Sequence, residues 1–273
     1  MRKAAYLFSG LGNIKKALKG KFVYLFLDYD GTLAPIAETP GKAAMSMETN
    51  YLLRRLSKAP NCKVAIVSGR ALKDVSGRIG LKNIIYVGNH GFEIRGPKID
   101  FKSPLPYRYT KTLAEIKSKL EKKLSPVKGV FIEDKGYSLS VHYRAADKRD
   151  RALIKTEFYS ALLLYEVRKN VLVKTGKLVL EVRPPVIWDK GKAVLWLLAR
   201  RKFVLSSKKI KVFPVYIGDD VTDEDAFRSL KGRGMTIFVG KPKGTEARLY
   251  LKDTRDVVKF LKIVLENAGR SAS

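Results

Sequence analysis

Two aspartates separated by one residue follow an apolar run near the start of the chain. The run Phe22–Leu27 has the composition of a buried strand, and Asp28, Asp30 and Gly31 come directly after it. Because side chains alternate along a strand, Asp28 and Asp30 are expected on one face. Two close carboxylates repel each other unless a cation lies between them, and Mg²⁺ prefers such hard oxygen ligands. Alone, however, this spacing is more typical of an ordinary strand-end turn.

Polar groups in three further places strengthen the case for a catalytic site. They are Ser68 and Arg70 after an apolar run at 63–67, Lys190 at the start of an apolar helix, and Asp219, Asp220 and Asp223 after a run at 212–217. Open α/β sheets bind ligands at the carboxyl ends of their strands. We therefore expect these groups at one edge of a parallel sheet.

The order of these motifs resembles the haloacid dehalogenase superfamily, and longer segments resemble the trehalose-6-phosphate phosphatase family. The segments are FLDYDGTLAPI at 26–36, VSGR at 67–70, YVGNHGFE at 86–93, EDKGYSLSVHYR at 133–144, LEVRP at 180–184 and YIGDDVTDEDAF at 216–227. The resemblance extends over roughly residues 21 to 265. It implies an α/β fold, a haloacid-dehalogenase-like Rossmannoid parallel-sheet core with an inserted α+β cap domain.

The predicted elements agree with that organisation. Strands alternate with helices over 21–103 and 186–268, which predicts a discontinuous catalytic core with helices on both faces of a parallel sheet. Residues 104–185, bounded by proline-containing linkers, instead contain two helices and four strands in hairpin order, and we expect them to form the cap. A cap would exclude water and recognise the sugar away from the phosphate. Residues 1–20 are predicted to be a basic N-terminal extension.

Each core residue fits a role in phosphoryl transfer. Asp28 suits the nucleophile that forms an aspartyl phosphate, and Asp30 suits the general acid and then the general base. Ser68 can donate its hydroxyl to a phosphoryl oxygen, or it could only cap a helix. Lys190 is the expected phosphate-binding cation. A lysine at a helix N-terminus interacts unfavourably with the helix dipole, so its presence there suggests a role other than helix stability. Lys192 is the competing candidate.

The predicted cofactor is Mg²⁺. We expect Asp28 and Asp219 as ligands, and the resemblance adds the main-chain carbonyl of Asp30. Asp220 and Asp223 are expected to hold metal-bound waters or Lys190, although Asp223 could instead be only the N-cap or a first-turn residue of a helix over 222–230.

Substrate recognition is predicted in both domains. Five residues on the predicted cap strands match the family segments and could bind sugar hydroxyls, although strand charges often form only a solvated face. They are Glu133, Lys135, His142, Arg144 and Glu181. Arg70, Asn89 and His90 are the candidates in the core, and His90 could instead be a structural histidine in a turn.

The net charge of +29, from 55 basic and 26 acidic residues, raises the question of nucleic-acid binding. The basic residues are scattered and no recognition motif is visible, so we expect no nucleic-acid partner and a field that attracts a phosphorylated substrate. No apolar stretch approaches the ~20 residues needed to span a bilayer, and we expect no membrane partner. Cys62 is the single cysteine, so no intrachain disulfide can form. We expect a cytoplasmic protein.

The function predicted from these observations is Mg²⁺-dependent hydrolysis of trehalose 6-phosphate to trehalose and phosphate. One alternative keeps the chemistry but changes the substrate to sucrose phosphate, mannosylglycerate phosphate or a similar sugar phosphate. Another is a non-catalytic regulatory domain of a trehalose synthesis complex. The intact candidate catalytic residues argue against the second alternative, but association with a trehalose-6-phosphate synthase is compatible with either function.

Overall fold

The structure, a computed structural model, describes residues 3–37, 39–205 and 211–269. It divides into two compact units. The larger unit consists of three segments: the residues up to Ala37, Ala43–Lys102, and the residues from Trp188 onward. The smaller unit consists of Ser103–Ile187 and a few residues, ending at Lys42, of the loop between Ala37 and Ala43. Among the helices that the structure describes, none combines the length and apolarity needed to cross a bilayer.

The larger unit is built on a nine-stranded sheet. Its strands are β1 (Ala5–Tyr6), β2 (Phe22–Leu27), β3 (Cys62–Val67), β4 (Ile85–Gly88), β5 (Glu93–Gly96), β6 (Ile99–Lys102), β11 (Val212–Gly218), β12 (Met235–Val239) and β13 (Leu249–Leu251). Their order is β1-β13-β12-β11-β2-β3-β4-β5-β6. Seven strands, β1, β13, β12, β11, β2, β3 and β4, pair in parallel with their neighbours. Strands β5 and β6 add an antiparallel edge next to β4. The predicted parallel core is confirmed.

Helices cover both faces of this sheet. They are α1 (Leu11–Leu18), α2 (Met47–Leu56), α3 (Leu72–Ile79), α6 (Lys190–Leu205), α7 (Glu224–Ser229) and α8 (Thr254–Ala268). Every residue of β2 is buried, so its side chains enter two cores in alternation. Leu25 and Leu27 pack in the core that α1, α2, α3 and α8 cover, whereas Tyr24 and Phe26 pack in the core beneath α6 and α7. The chain that precedes Asp28 is therefore held firmly on both sides.

The N-terminal residues correct one prediction. Residues 3–18 belong to the core rather than to a basic extension, since β1 pairs in parallel with β13 and α1 buries Ile14 and Leu18. Lys15 and Lys16 lie on the exposed side of α1, so the positive charge that suggested an extension is the solvated face of an amphipathic helix. Residues 1 and 2 of the predicted segment lie outside the described residues.

The smaller unit is an antiparallel sheet covered by two helices. Its strands are β7 (Phe131–Asp134), β8 (Leu139–His142), β9 (Leu172–Gly176) and β10 (Val179–Arg183), and its helices are α4 (Tyr109–Leu124) and α5 (Arg151–Val167). The strand order is β7-β8-β10-β9. Val141 and Leu180 lie on the face that packs with Ile116 and Phe158 of the helices. By alternation, Glu181 lies on the opposite face. The predicted α+β architecture of the inserted cap is confirmed.

Candidate active site

The pairing of β2 with β11 brings the two aspartate motifs together. These strands run in parallel and in register from Val212 opposite Phe22 to Ile217 opposite Leu27. The backbone N–H of Asp28 continues the ladder by donating to the carbonyl of Ile217 at 2.9 Å. The chains therefore leave the sheet side by side, and carboxylate oxygens of Asp28, Asp219 and Asp223 lie within 4.8 Å of one another.

Lys190, the first residue of α6, binds two of these carboxylates. Its Nζ donates to Asp28 Oδ1 at 2.7 Å and to Asp223 Oδ1 at 2.8 Å, and the residue is only 2% exposed. The helix start is stabilised by Asp189, whose carboxylate accepts from the backbone N–H of Lys192 at 2.8 Å. Lys190, rather than the competing Lys192, thus provides the cation in contact with Asp28.

Asp223 accepts hydrogen bonds at both of its carboxylate oxygens. In addition to Lys190, its Oδ1 accepts from the Tyr216 hydroxyl at 2.7 Å, and its Oδ2 accepts from the backbone N–H groups of Asp219 and Asp220 at 3.0 Å each. Asp223 is also the N-cap residue of α7, which begins at Glu224. Its position therefore agrees both with the contact to Lys190 and with the helix-end role expected from the sequence. Tyr216 was not predicted as a site residue, because a tyrosine inside an apolar strand has the pattern of a core residue.

Burial dominates the electrostatics of the cluster. It raises the pKa of Asp28 well above the usual value for an aspartate; Lys190 opposes this shift, while Asp223 and Asp219 add to it. For Lys190, burial lowers the pKa, but the attraction of Asp223 and Asp28 outweighs burial and the net shift is upward. Lys190 is therefore an ammonium at neutral pH, surrounded by more carboxylates than it can neutralise.

The donor set fits a divalent cation such as Mg²⁺. When all three groups are ionised, three carboxylates against one ammonium leave an excess of negative charge that a bound cation would offset, and hard oxygen ligands are those that Mg²⁺ prefers. Gly31 (φ +82°) turns so closely over Asp219 that an added Cβ would lie 2.3 Å from Asp219 Oδ2. The turn after Asp30 is thus in immediate contact with the predicted ligand Asp219. A cation bound by both segments would require them to be this close.

The carboxylate of Asp30 has a different partner from that of Asp28. Arg70 donates to it through Nε and Nη2, at 2.6 Å each, and donates through Nη1 to Asp74 at 2.8 Å. Arg70, which we predicted to bind substrate, therefore uses both edges of its guanidinium on carboxylates of the chain itself. Asp74 was not predicted, since an aspartate in the first turn of α3 is an ordinary helix-stabilising residue.

Ser68, Asn89 and His90 meet in one compact turn region. Ser68 does not cap α3: Ala71 is at the N-cap position, and the Ser68 Oγ instead accepts from the backbone N–H of Arg70 at 3.1 Å. The Ser68 carbonyl accepts from the His90 N–H at 3.0 Å. A Cβ on Gly69 would lie 2.3 Å from His90 Cε1, so the imidazole packs directly on this turn.

Asn89 and His90 both have positive φ, at 49° and 56°. The side-chain amide of Asn89 donates to Glu93 at 2.7 Å. This left-handed backbone at two successive non-glycine residues is a strained conformation, of the kind that concentrates at functional sites.

Four of the five predicted sugar-binding residues gather on the sheet of the smaller unit. His142 Nε2 lies 2.9 Å from Glu133 Oε2, and Lys135 Nζ lies 3.9 Å from the same oxygen and 3.3 Å from Glu181 Oε1. Arg144 does not join them. Strand β8 ends at His142, so the alternation that placed Arg144 with His142 no longer applies, and its exposed side chain donates to the Lys177 carbonyl at 2.9 Å.

Arg183 is a further member of this charged group that the sequence prediction missed. It is the last residue of β10, directly before the proline-containing linker, and is only 9% exposed. Its Nε donates to Glu181 Oε2 at 2.7 Å, and Nη2 contacts the same oxygen. The two-residue spacing from Glu181 within one strand was the available signal.

The structure has the fold of a known class of proteins, the haloacid dehalogenase-like hydrolases. The chain is similar in fold to a hydrolase of that description from B. subtilis, with a TM-score of 0.57 over 88% of this chain and 98% of the other, at 15% identity. It is more similar to the C-terminal domain of the C. albicans trehalose-6-phosphate phosphatase, with a TM-score of 0.79 and 27% identity over 97% of this chain and 99% of the other.

Sequence comparison identifies the family. Residues 26–254 match the model of the trehalose-phosphatase family. The chain is also 37% identical over 269 residues to the trehalose 6-phosphate phosphatase RA3 of Zea mays, covering 93% of this chain and 72% of the relative. The chain belongs to the trehalose-phosphatase family and is a phosphoric monoester hydrolase.

Proposed function

We propose that this protein hydrolyses trehalose 6-phosphate to trehalose and phosphate, depends on Mg²⁺, and works through a phosphoryl group carried on Asp28. The observation that supports this most directly is the Lys190 ammonium, bonded to Asp28 Oδ1 and Asp223 Oδ1 in a buried cluster at the end of β2. A buried cation beside a carboxylate nucleophile neutralises charge on an arriving phosphoryl group without prior reorganisation.

In the first step, Asp28 attacks phosphorus as its carboxylate and the phosphorus–oxygen bond to the sugar breaks. Asp30 donates a proton to the departing sugar oxygen. In the second step, a water attacks the phosphorus of the aspartyl phosphate, Asp30 accepts a proton from that water, and the bond to Asp28 breaks. Phosphate is released and both carboxylates return to their starting state.

The remaining core residues would stabilise the phosphoryl oxygens. The Ser68 Oγ acts as an acceptor towards the N–H of Arg70, which leaves its own proton to donate to a phosphoryl oxygen. Asp28 and Asp219, with the main-chain carbonyl of Asp30, would hold Mg²⁺, and Asp223 would hold Lys190. A bound Mg²⁺ would offset the excess negative charge of the carboxylates and of the phosphoryl group.

The sugar would be recognised by the charged group on the smaller unit. Glu133, Lys135, His142 and Glu181 present carboxylates, an ammonium and an imidazole that suit sugar hydroxyls, and Arg183 holds Glu181 in place. Arg144 is a weaker candidate because it is exposed and binds a backbone carbonyl. The exact sugar phosphate, a cytoplasmic location and association with a synthase remain predictions.

The test is phosphate release from trehalose 6-phosphate beside sucrose 6-phosphate and glucose 6-phosphate, with Mg²⁺ and with excess chelator. We expect turnover of trehalose 6-phosphate to exceed that of the other two, to vanish with chelation and to return with Mg²⁺. Asp28→Asn, which is nearly isosteric, should remove activity and serves as the control for a contaminating phosphatase. A preference for another sugar phosphate, or full activity in chelator, would contradict the proposal.

A further inference from the structure

A chain of ion pairs extends from Asp30 into the body of the larger unit. Arg70 joins Asp30 to Asp74, and Arg78 Nε donates to the other oxygen of Asp74 at 2.9 Å. Arg78 in turn donates through Nη1 to the carbonyl of Ala43 at 3.0 Å. Asp74 and Arg78 are one turn apart on α3, so a helix that packs on the sheet anchors the far end of the chain.

Asp30 and Arg70, at the start of this series of ion pairs, differ strongly in exposure. The Asp30 side chain is 41% exposed, whereas that of Arg70 is 6% exposed. The guanidinium therefore holds the carboxylate from its buried side and leaves the rest open to a substrate. The Arg70 guanidinium also lies over the ring of Tyr29, 5.4 Å from its centroid. A bidentate pair of this kind restricts both the position and the rotation of the carboxylate.

Asp74 determines whether Arg70 can act in this way. An arginine side chain has several rotatable bonds, and a guanidinium bound at one edge only could swing together with its carboxylate. The bond from Nη1 to Asp74 fixes the opposite edge. Asp74 itself stays ionised, because its bonds to Arg78 and Arg70 outweigh the opposing effect of burial and lower its pKa.

We propose that Asp74 is a positioning residue for the acid–base carboxylate: acting through Arg70, and backed by Arg78, it holds Asp30 where it can deliver a proton to the leaving oxygen. This inference rests on the proposed function, specifically on Asp30 as the general acid. Asp74 touches no reacting atom, and its removal should lower the rate of the step that needs the proton while leaving substrate affinity nearly unchanged.

The experiment compares two leaving groups in single-turnover reactions with the whole chain and Mg²⁺. Trehalose 6-phosphate releases a poor leaving group that needs a proton, whereas p-nitrophenyl phosphate releases a phenolate that does not. We expect Asp74→Ala to slow sugar release on the order of 10-fold or more, as small displacements of catalytic groups do. Release of p-nitrophenol should change less than about 2-fold, since acid catalysis contributes little to that step. Asp74→Glu should recover part of the loss.

Controls separate positioning from damage to the fold. Lys73→Ala removes a neighbouring exposed charge from the same helix and should behave like the wild type. If Asp74→Ala is too unstable to purify, Asp74→Asn, which keeps the shape of the side chain, takes its place. Adding Asp74→Ala to Asp30→Asn should cause no further loss on trehalose 6-phosphate, since both act through one group.

The outcomes distinguish the inference from the proposed function. If Asp30→Asn hydrolyses trehalose 6-phosphate normally, the acid role of Asp30 fails, and with it the proposed mechanism. If Asp30→Asn shows the selective loss but Asp74→Ala leaves both substrates unaffected, or slows both equally, the positioning role of Asp74 is wrong while the proposed function stands. If the wild type prefers another alkyl phosphate, the same comparison applies with that substrate.

Discussion

The same substitution, aspartate to asparagine, is expected to have opposite effects on stability at two positions of the carboxylate cluster. In metal-free protein, Asp28→Asn should leave the free energy of unfolding within about 1 kcal/mol of the wild type or raise it. Asp223→Asn should lower the free energy of unfolding by about 3–5 kcal/mol, the range for breaking one partner of a buried ion pair. Both variants should lose activity, so activity alone does not distinguish the two roles.

The expectation for Asp28 follows from its three charged neighbours. Oxygens of Asp219 and Asp223 lie within 4.8 Å, and the Lys190 ammonium lies at 2.7 Å. With an effective dielectric constant of about 20, each repulsion is at least about 3.5 kcal/mol and the attraction is about 6 kcal/mol. These contributions nearly cancel, so the free-energy cost of burying the charge decides the sign. The raised pKa of Asp28, caused first by burial, points in the same direction.

The expectation for Asp223 follows from its four donors. Lys190 and Tyr216 bind one oxygen, and two backbone N–H groups bind the other. An asparagine keeps only one acceptor oxygen, so its NH₂ must face either the two N–H groups or the ammonium. In either orientation Lys190 would lose one of the two carboxylates that it contacts and would keep the negative charge of Asp28. A buried donor left without its acceptor costs about 1–3 kcal/mol, and more when the donor is charged.

Urea unfolding followed by far-UV circular dichroism, at pH 7 in excess chelator, measures these differences. Asp100→Asn, at an exposed aspartate of β6, is the matched control and should change stability by less than about 0.5 kcal/mol. The reasoning fails if Asp28→Asn destabilises the protein as much as Asp223→Asn does, or if Asp223→Asn is as stable as the control.

Three further results are expected. Mg²⁺ should stabilise the wild type in a saturable way, by about 2.7 kcal/mol in the free energy of unfolding at 100 times the dissociation constant, and should raise its melting temperature accordingly. Differential scanning calorimetry should show that Asp219→Ala and Gly31→Ala both lose most of this shift in melting temperature. Gly31→Ala is expected to do so because its Cβ would collide with Asp219. Because folding raises the pKa of Asp28, the group contributes stability when protonated and loses it as pH rises through the folded-state pKa. Metal-free wild type should therefore gain stability relative to Asp28→Asn as pH is lowered from 7, and unfolding curves showing the opposite trend would contradict the assigned cause. Burial raises the pKa of Cys62 to about 12, so a thiol reagent should label it only in urea, and rapid labelling of the folded protein would show that the thiol is accessible.

Motifs with short spacing were predictable because local chemistry determines them. An apolar run that ends in two aspartates and a glycine indicates a strand followed by a tight turn, whatever the rest of the chain does. The same holds for Lys190 at a helix start and for the aspartates after β11. Parallel pairing then brings strand ends together, which is why Asp28, Lys190 and Asp223 were expected near one another and are bonded in the structure.

Weak local signals explain the elements that were missed. Strands of two and three residues, β1 and β13, are too short to show a period, and a lysine-rich amphipathic helix resembles a solvated tail when its apolar partner is 250 residues away. The hydrogen bond between Tyr6 and Asp256 joins residues separated by that distance in the chain. Pairing at such a separation depends on the completed core and leaves no trace in a local window.

The sequence by itself determined which groups are present and which end of the sheet they reach, because strand alternation and turn chemistry act over a few residues. Only the tertiary structure decided which partner each charged group binds. Arg70 turned out to hold Asp30, and Arg144 lies apart from the group that contains His142. A charged side chain in a folded protein has several partners of suitable chemistry within its reach. The choice among them depends on burial and on angstrom-scale geometry, which arise only when distant segments pack together.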